Sequence, residues 1–339
     1  KMRKFILDYM NSFSDFRKDW IDSISPNEPF KFERRIDWDN ISEEQLYQFS
    51  QSADYYFSSE SLDLIRNNVS FIQNSLFEYS ELPLTDIKDD ERRSFVDLWE
   101  PLTLCVPRLL LDKYPNLNTF CSPNAISNIV DLLINRLVDL SDRLLWNQYI
   151  SFRKPGVFFM AQIQIQRQEP PSRSVYQDFI YSLRRDSLSS LFRDYPVYEF
   201  YIGIIFTHWS SFIYEFLDRL VNDRLAIERT FSIPSSFSLS EIEGNLSDPH
   251  RFSRTVLILS FSHVSEPSSS HKHRLVYKPK SLDLESKYYE FLSHLNSSSK
   301  LTPFRTLTIL CMSGYGYVEY ISQDSLTVDD DLPDFYSML

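Results

Sequence analysis

The sequence predicts an α+β protein: a mostly helical region over residues 1–235, then a small antiparallel sheet carrying one helix over 236–339. Three observations predict this. Apolar residues recur at helical spacing up to about residue 232, most regularly over 126–150, where Ile126, Ile129, Val130, Leu133, Leu137, Leu140, Leu144 and Leu145 form one stripe. After "IPSSFSLSEIEGN" the texture changes to short runs rich in β-branched and aromatic residues. A single helical pattern, "DLESKYYEFLSHLN", interrupts those runs and gives the order β–β–α–β–β.

Taken in order, residues 1–25 read as an amphipathic helix, with Phe5, Ile6, Tyr9, Phe13, Phe16 and Trp20 on one side, stopped by the turn "SPNEPF". A second helix starts after "WDNISEEQL", where Ser42 and Gln45 form a capping box. Further helices are expected over 61–80, 126–150, 176–193 and 197–225, the last two flanking "FRDYP", where Pro196 ends the first of the pair. The aromatic residues of this half read as core. In the second half, "RTVLILSF" (254–261), "RLVYK" (274–278), "FRTLTILCM" (304–312) and "GYGYVEYI" (314–321) are strands, with antiparallel hairpins at the first and last pair.

Composition excludes several function classes. A net charge of −12 argues against nucleic acid as a partner. Only five glycines occur, and none are spaced to build a Rossmann or Walker phosphate loop. Cys105, Cys121 and Cys311 are far apart and form no CxxC pair, so neither a disulfide framework nor a zinc site is indicated, and a reducing, cytoplasmic setting is the simplest reading. The most apolar stretch, 198–217, carries Glu199, His208 and Glu215 and reads as a buried helix, not a membrane span.

The chemistry-bearing candidates lie in the second region. Strand alternation puts Arg274, Val276 and Lys278 on one face, with Leu275 and Tyr277 on the other. Lys278 is then either a solvated strand-end lysine or a phosphate-handling one, and Glu285 or Glu290 of the following helix is placed to face it. Leu284, Tyr288, Phe291, Leu292 and Leu295 form that helix's expected packing face. In "SDPHRFSRTV", Asp248 and His250 flank Pro249; the pair reads either as an Asp-Pro turn or as a proton- or phosphate-handling pair. His271 and His273 have no third ligand nearby, and "DDDLPDF" (329–335) reads as a solvated loop.

The order strand, loop, lysine strand, helix, strand, strand is also that of a kinase N-lobe, in which a strand lysine holds nucleotide phosphates and a helix glutamate orients it. "SDPHRFSRTVLILSF", "RLVYKPKSL", "YEFLSHLN" and "GYGYVEYI", in this order, resemble the dehydratase domain of class II lanthipeptide synthetases, with "LFRDYP" and the opening "WIDSISPNEPFKFERRIDWDNIS" as further points of similarity. The resemblance implies a lipid-kinase-like core. With ATP and Mg²⁺, such enzymes phosphorylate Ser and Thr of a precursor peptide carrying a leader, then eliminate phosphate to leave dehydroamino acids.

Residue by residue, the resemblance assigns Lys278 to nucleotide binding, Asp248 and His250 to the family's Asp-x-His motif associated with dehydration, Arg254 to a basic position after it, and Glu290 to an acidic position on the helix. This makes Asp248, His250 and Lys278 the expected catalytic residues and Lys278, Glu290 and Arg254 the expected cofactor-binding ones. Ser247 and Ser253 stand where the family has glycine. The family's catalytic loop, metal-binding acids and zinc cyclase are expected beyond Leu339, so the chain reads as an N-terminal portion of a longer synthetase, inactive alone. The alternatives are a non-catalytic peptide- or partner-binding module, or one half of a split dehydratase.

Overall fold

A computed structural model describes residues 30, 33–34, 42, 59–84, 93–153, 173–244, 246, 253–263, 272–298 and 303–322. The expected helix over 1–25 lies outside these residues, as does all of the one beginning at Ser42 except Ser42 itself. The described part is α+β, with helices first and a five-stranded antiparallel sheet after them. The helices are α1 (Ser59–Glu78), α2 (Val96–Trp99), α3 (Leu102–Lys113), α4 (Leu117–Phe120), α5 (Pro123–Phe152), α6 (Ser174–Arg185), α7 (Ser189–Asp194) and α8 (Pro196–Phe231). Then follow β1 (Phe237–Glu243), β2 (Leu257–His263), β3 (His273–Lys278), α9 (Asp283–Ser298), β4 (Ile309–Met312) and β5 (Tyr315–Glu319). No described helix is long and apolar enough to cross a membrane.

Two compact units divide the chain. The first comprises 1–78 and 182–207. In it α1 and α8 pack tightly at Gly203, where an added Cβ would sit 2.6 Å from Ile65 and 2.9 Å from Val69, closer than side chains allow. Asn68 donates to Thr207 at 2.8 Å, and Phe71 packs on Phe206 with ring centroids 5.4 Å apart. The helix expected over 176–193 is broken here. Ser187 and Leu188 both adopt left-handed φ (50° and 59°) and turn the chain between α6 and α7. That conformation costs Leu188 about 1–2 kcal/mol, but full burial of its side chain returns about 1.5–3 kcal/mol. Pro196 does not end the earlier helix; α7 stops at Asp194, and Pro196 opens α8, where its missing N–H costs nothing.

The second unit comprises 79–181 and 208–339, so α2 to α5 belong with the sheet. Phe95, at φ 59°, is buried among Trp146, Tyr149, Tyr176 and Phe179. Its burial offsets the backbone strain as for Leu188.

Sheet order is β1-β2-β3-β5-β4, all pairs antiparallel, so both expected hairpins are present. β1 is an additional strand. It carries a bulge between Leu239 and Glu241, which frees the carbonyl of Ser240 from the ladder. Ser122 and Asn124 take that carbonyl up, donating at 2.9 and 3.2 Å. Ser122 also N-caps α5 by accepting from the Ala125 N–H, and Asn128 accepts from Ile242. The outer edge of β1 is therefore covered by the start of α5, which removes an open sheet edge.

Alternation separates two faces. Leu257, Leu259, Phe261, Leu275, Tyr277 and Tyr317, each no more than 3% exposed, form the closed face against α8. α8 meets that face with charges at i, i+4 and i+8. Glu215 pairs with Arg219, Arg219 donates to the Tyr277 hydroxyl at 2.7 Å, and buried Asp223 accepts from Tyr315 (2.8 Å) and Tyr317 (3.0 Å). Burial, opposed by Arg219, pushes the Tyr277 hydroxyl up to about 12; burial and Asp223 push Tyr315 up to about 12 and Tyr317 further. The three therefore stay protonated hydroxyls at neutral pH.

Two expectations are corrected. The strand over 304–312 is regular only from Ile309; before it, the Glu319 N–H donates to the Thr308 carbonyl at 2.9 Å, and the Asn296 side chain takes both the N–H and the C=O of Phe304, each at 2.7 Å. Of the expected packing face of α9, Leu292 is buried and Leu295 half-buried, but the rest of the face is turned by one residue. Leu284 is 84% exposed and Tyr288 and Phe291 are 56% exposed, whereas Glu285, Tyr289 and Leu292 turn inward. Leu282, fully buried, sets this phase: an added Cβ on Gly316 would lie 2.5 Å from it, so Leu282 fills the space that glycine leaves.

Asp223→Ala is expected to lower stability by about 3 kcal/mol, since it strands two tyrosine hydroxyls, while Tyr317→Phe costs only about 1 kcal/mol. Urea unfolding of the two variants measures the difference.

Candidate functional site

The face of the sheet opposite α8 holds the candidate site. Ile258, Val276, Val318 and Ile309 lie side by side across β2, β3, β5 and β4. In the next row Lys278 stands opposite Gly316, which stands opposite Cys311. Around Lys278 this face is less covered, with Ile258, Arg274, Val276 and Lys278 half-buried, although Val318, Ser260 and Ser262 on the same face are buried.

At its edge β3 ends on Lys278, and Pro279 to Leu282 turn the chain directly into α9. The short connection brings the first turn of α9 to the strand end. Lys278 Nζ lies 2.8 Å from Glu285 Oε2, and Lys280 Nζ lies 3.1 Å from Glu285 Oε1. Both oxygens of one carboxylate are thus held, each by a different lysine. Partial burial pulls the Glu285 carboxyl up, but the hydrogen bonds and charges of Lys278 and Lys280 together outweigh it and hold it below its usual range. An acid in the first helical turn is also favoured by the helix dipole.

Of the two glutamates open to Lys278, the structure brings Glu285 to it. Glu290 pairs instead with Lys287 at 2.7 Å on the exposed side of α9. Arg254 lies on the other face of the sheet. Its guanidinium grips Glu215 of α8 (2.7 and 2.9 Å), so Arg254 and Lys278 are not brought together. Asp248 and His250 lie outside the described residues, as does His271. His273 packs edge-on against Phe237, with ring centroids 5.5 Å apart.

The junction that follows the Asp-x-His segment is described. Ser253 has φ 65°, the left-handed conformation that glycine adopts without strain, and it is one of the two positions where serine replaces the expected glycine. Arg136 of α5 donates to the Ser253 carbonyl at 3.0 Å and holds this turn in place. Sequence reasoning missed Lys280, Glu215 and Arg136. For Lys280 the signal was present: it follows Lys278 by two residues, just before the helix that carries Glu285.

Charge at this site suits an anion. Two ammonium groups flank one carboxylate, and each ammonium has three donors, of which Glu285 takes one. Among the described residues no group of three or more His, Cys, Asp or Glu side chains is placed to hold a metal ion.

Residues 195–339, from the start of α8 onward, match a family described as a domain of unknown function (DUF4135). That domain is found in lanthipeptide-synthetase-like proteins. A comparison with curated proteins finds no match.

Glu285→Gln tests the electrostatics of the pair. Because folding lowers the Glu285 pKa, the pair's contribution is whole above the ordinary value of 4.5 and is lost as pH falls through the folded value. For a half-exposed pair that contribution is on the order of 1 kcal/mol or less. Urea unfolding of wild type and Glu285→Gln is expected to differ at neutral pH, with the gap closing as pH falls below 4.5.

Proposed function

We propose that residues 236–339 form a kinase-like N-lobe and that the chain is the N-terminal portion of a class II lanthipeptide dehydratase acting on Ser and Thr of a leader-bearing precursor peptide. The observation that carries this reading is the Lys278–Glu285 pair, 2.8 Å apart at the end of a strand on the less covered face of the sheet. The match of residues 195–339 to a domain found in lanthipeptide-synthetase-like proteins supports it.

Hydroxide leaves a serine side chain poorly, whereas phosphate leaves readily once the α-proton is removed. ATP with Mg²⁺, when bound, supplies the phosphoryl group that makes this exchange possible. What the chain contributes is position and charge. Lys278 holds a phosphate oxygen. Glu285, ionised at neutral pH, fixes the lysine's ammonium in place. In this proposal Asp248 and His250 take part in the dehydration, steering a proton or positioning a phosphate; the resemblance alone ties them to that reaction. Arg254, held by Glu215, anchors the strand that follows them. Glu290, exposed and paired with Lys287, receives no nucleotide role in this reading. No metal ligand is assigned among the described residues, and no step is routed through one.

A second reading is a non-catalytic peptide- or partner-binding module. The apolar stripe of Leu284, Tyr288 and Phe291, exposed along α9, favours it. The two readings separate on nucleotide, since a pure binding module has no use for Lys278.

The purified chain is expected to bind MgATP saturably, and Lys278→Ala is expected to abolish that binding in calorimetry. Equal binding by wild type and variant contradicts the reading. With a precursor peptide added, mass spectrometry is expected to show neither phosphate gain nor water loss. Turnover by wild type that Lys278→Ala lacks would overturn the expectation that this chain is inactive alone.

A further inference from the structure

We propose that Lys280 is the second cation of the phosphate site, and that with Lys278 it selects a ligand bearing consecutive phosphates over one bearing a single phosphate. The inference rests on the nucleotide-binding reading of Lys278.

The geometry begins with Pro279. It separates the two lysines by one residue, at the bend that follows β3. They then close on one carboxylate from two directions, Lys278 on Oε2 at 2.8 Å and Lys280 on Oε1 at 3.1 Å. Glu285 therefore acts as a gauge. Two ammonium groups that share a carboxylate stand close enough to share the oxygens of neighbouring phosphoryl groups.

The two lysines are unlike in exposure. Lys278 and Glu285 are 26% and 30% exposed, and Lys280 is 66% exposed. Lys280 is thus the outer member. It holds the second oxygen of Glu285 and keeps donors of its own for a phosphate, as Lys278 does. The other acid in this turn, Asp283, faces the Ser281 hydroxyl and the Cys311 thiol, so it does not compete for Lys280. A monophosphate reaches the inner lysine only. A di- or triphosphate reaches both.

This separates Lys280 from a residue that merely props up the turn. Affinities of the 339-residue chain for ATP, AMP and inorganic tripolyphosphate are measured by calorimetry for wild type, Lys280→Met, Lys280→Arg and Lys278→Met. Lys280→Met is expected to weaken ATP and tripolyphosphate roughly fivefold to tenfold, the effect of one partly screened charge, and to leave AMP unchanged. Lys280→Arg is expected to restore most of the loss, because the charge returns. Lys278→Met is expected to weaken all three ligands. If Lys280→Met binds ATP as wild type does while Lys278→Met does not, the inference fails and the nucleotide reading stands. An equal loss for AMP and ATP in Lys280→Met assigns Lys280 a structural role and also overturns the inference. If wild type binds none of the three, or Lys278→Met binds all of them unchanged, the nucleotide reading itself falls.

Discussion

The sheet is held by charges that its own closed face cannot do without. Five short strands need one face covered to be stable, and α8 provides the cover. It does so through Phe216, whose ring packs on Tyr277, but also through Glu215, Arg219 and Asp223. Burying a carboxylate such as Asp223 is costly unless it is fully bonded, and two tyrosine hydroxyls satisfy it here. Arg219 lies over the Tyr315 ring at 3.9 Å while donating to Tyr277, so three residues from two strands are tied to one helix. Tyr277 directly precedes Lys278. The closed face therefore fixes the strand whose next residue points to the open one.

The same arrangement explains why Arg254 is not a neighbour of Lys278. Glu215 accepts from both Arg219 and Arg254, and this commits Arg254 to the helix side at the entrance to β2. Arg136 holds the preceding residue through the Ser253 carbonyl. Two consecutive residues after the Asp-x-His segment are thus clamped by two helices. A residue family-matched to a nucleotide site is, in this structure, part of the frame that supports the strand.

Much of the fold was legible because period and burial agree. The stripe over 126–150 became α5, extended at its start by the Ser122 cap and Pro123, and β2, β3 and β5 followed from alternation. What escaped has identifiable causes. β1 was missed because its bulge at Ser240 shifts the phase: Phe237 and Leu239 alternate properly, then Ile242 falls out of step. The break after α6 was missed because serine and leucine, not glycine, occupy the left-handed positions, and burial rather than propensity decides there. The face of α9 was misread because apolar residues were assumed to point inward, whereas Leu282 and the Glu285 pairing set the rotation. In the site, Lys278 was legible as a candidate. Its partner was not, because Glu285 and Glu290 both fall on the flanks of the expected apolar face. Only the length of the 279–282 connection, which puts the first helical turn beside the strand end, decides between them.

The central claim is that a phosphate group sits beside Lys278 and Lys280. A lysine-reactive acyl phosphate of ATP tests it most directly, with the acylated residues mapped by peptide mass spectrometry. The account predicts acylation at Lys278 or Lys280 that excess ATP suppresses. Acylation confined to other lysines, or insensitive to ATP, would contradict it.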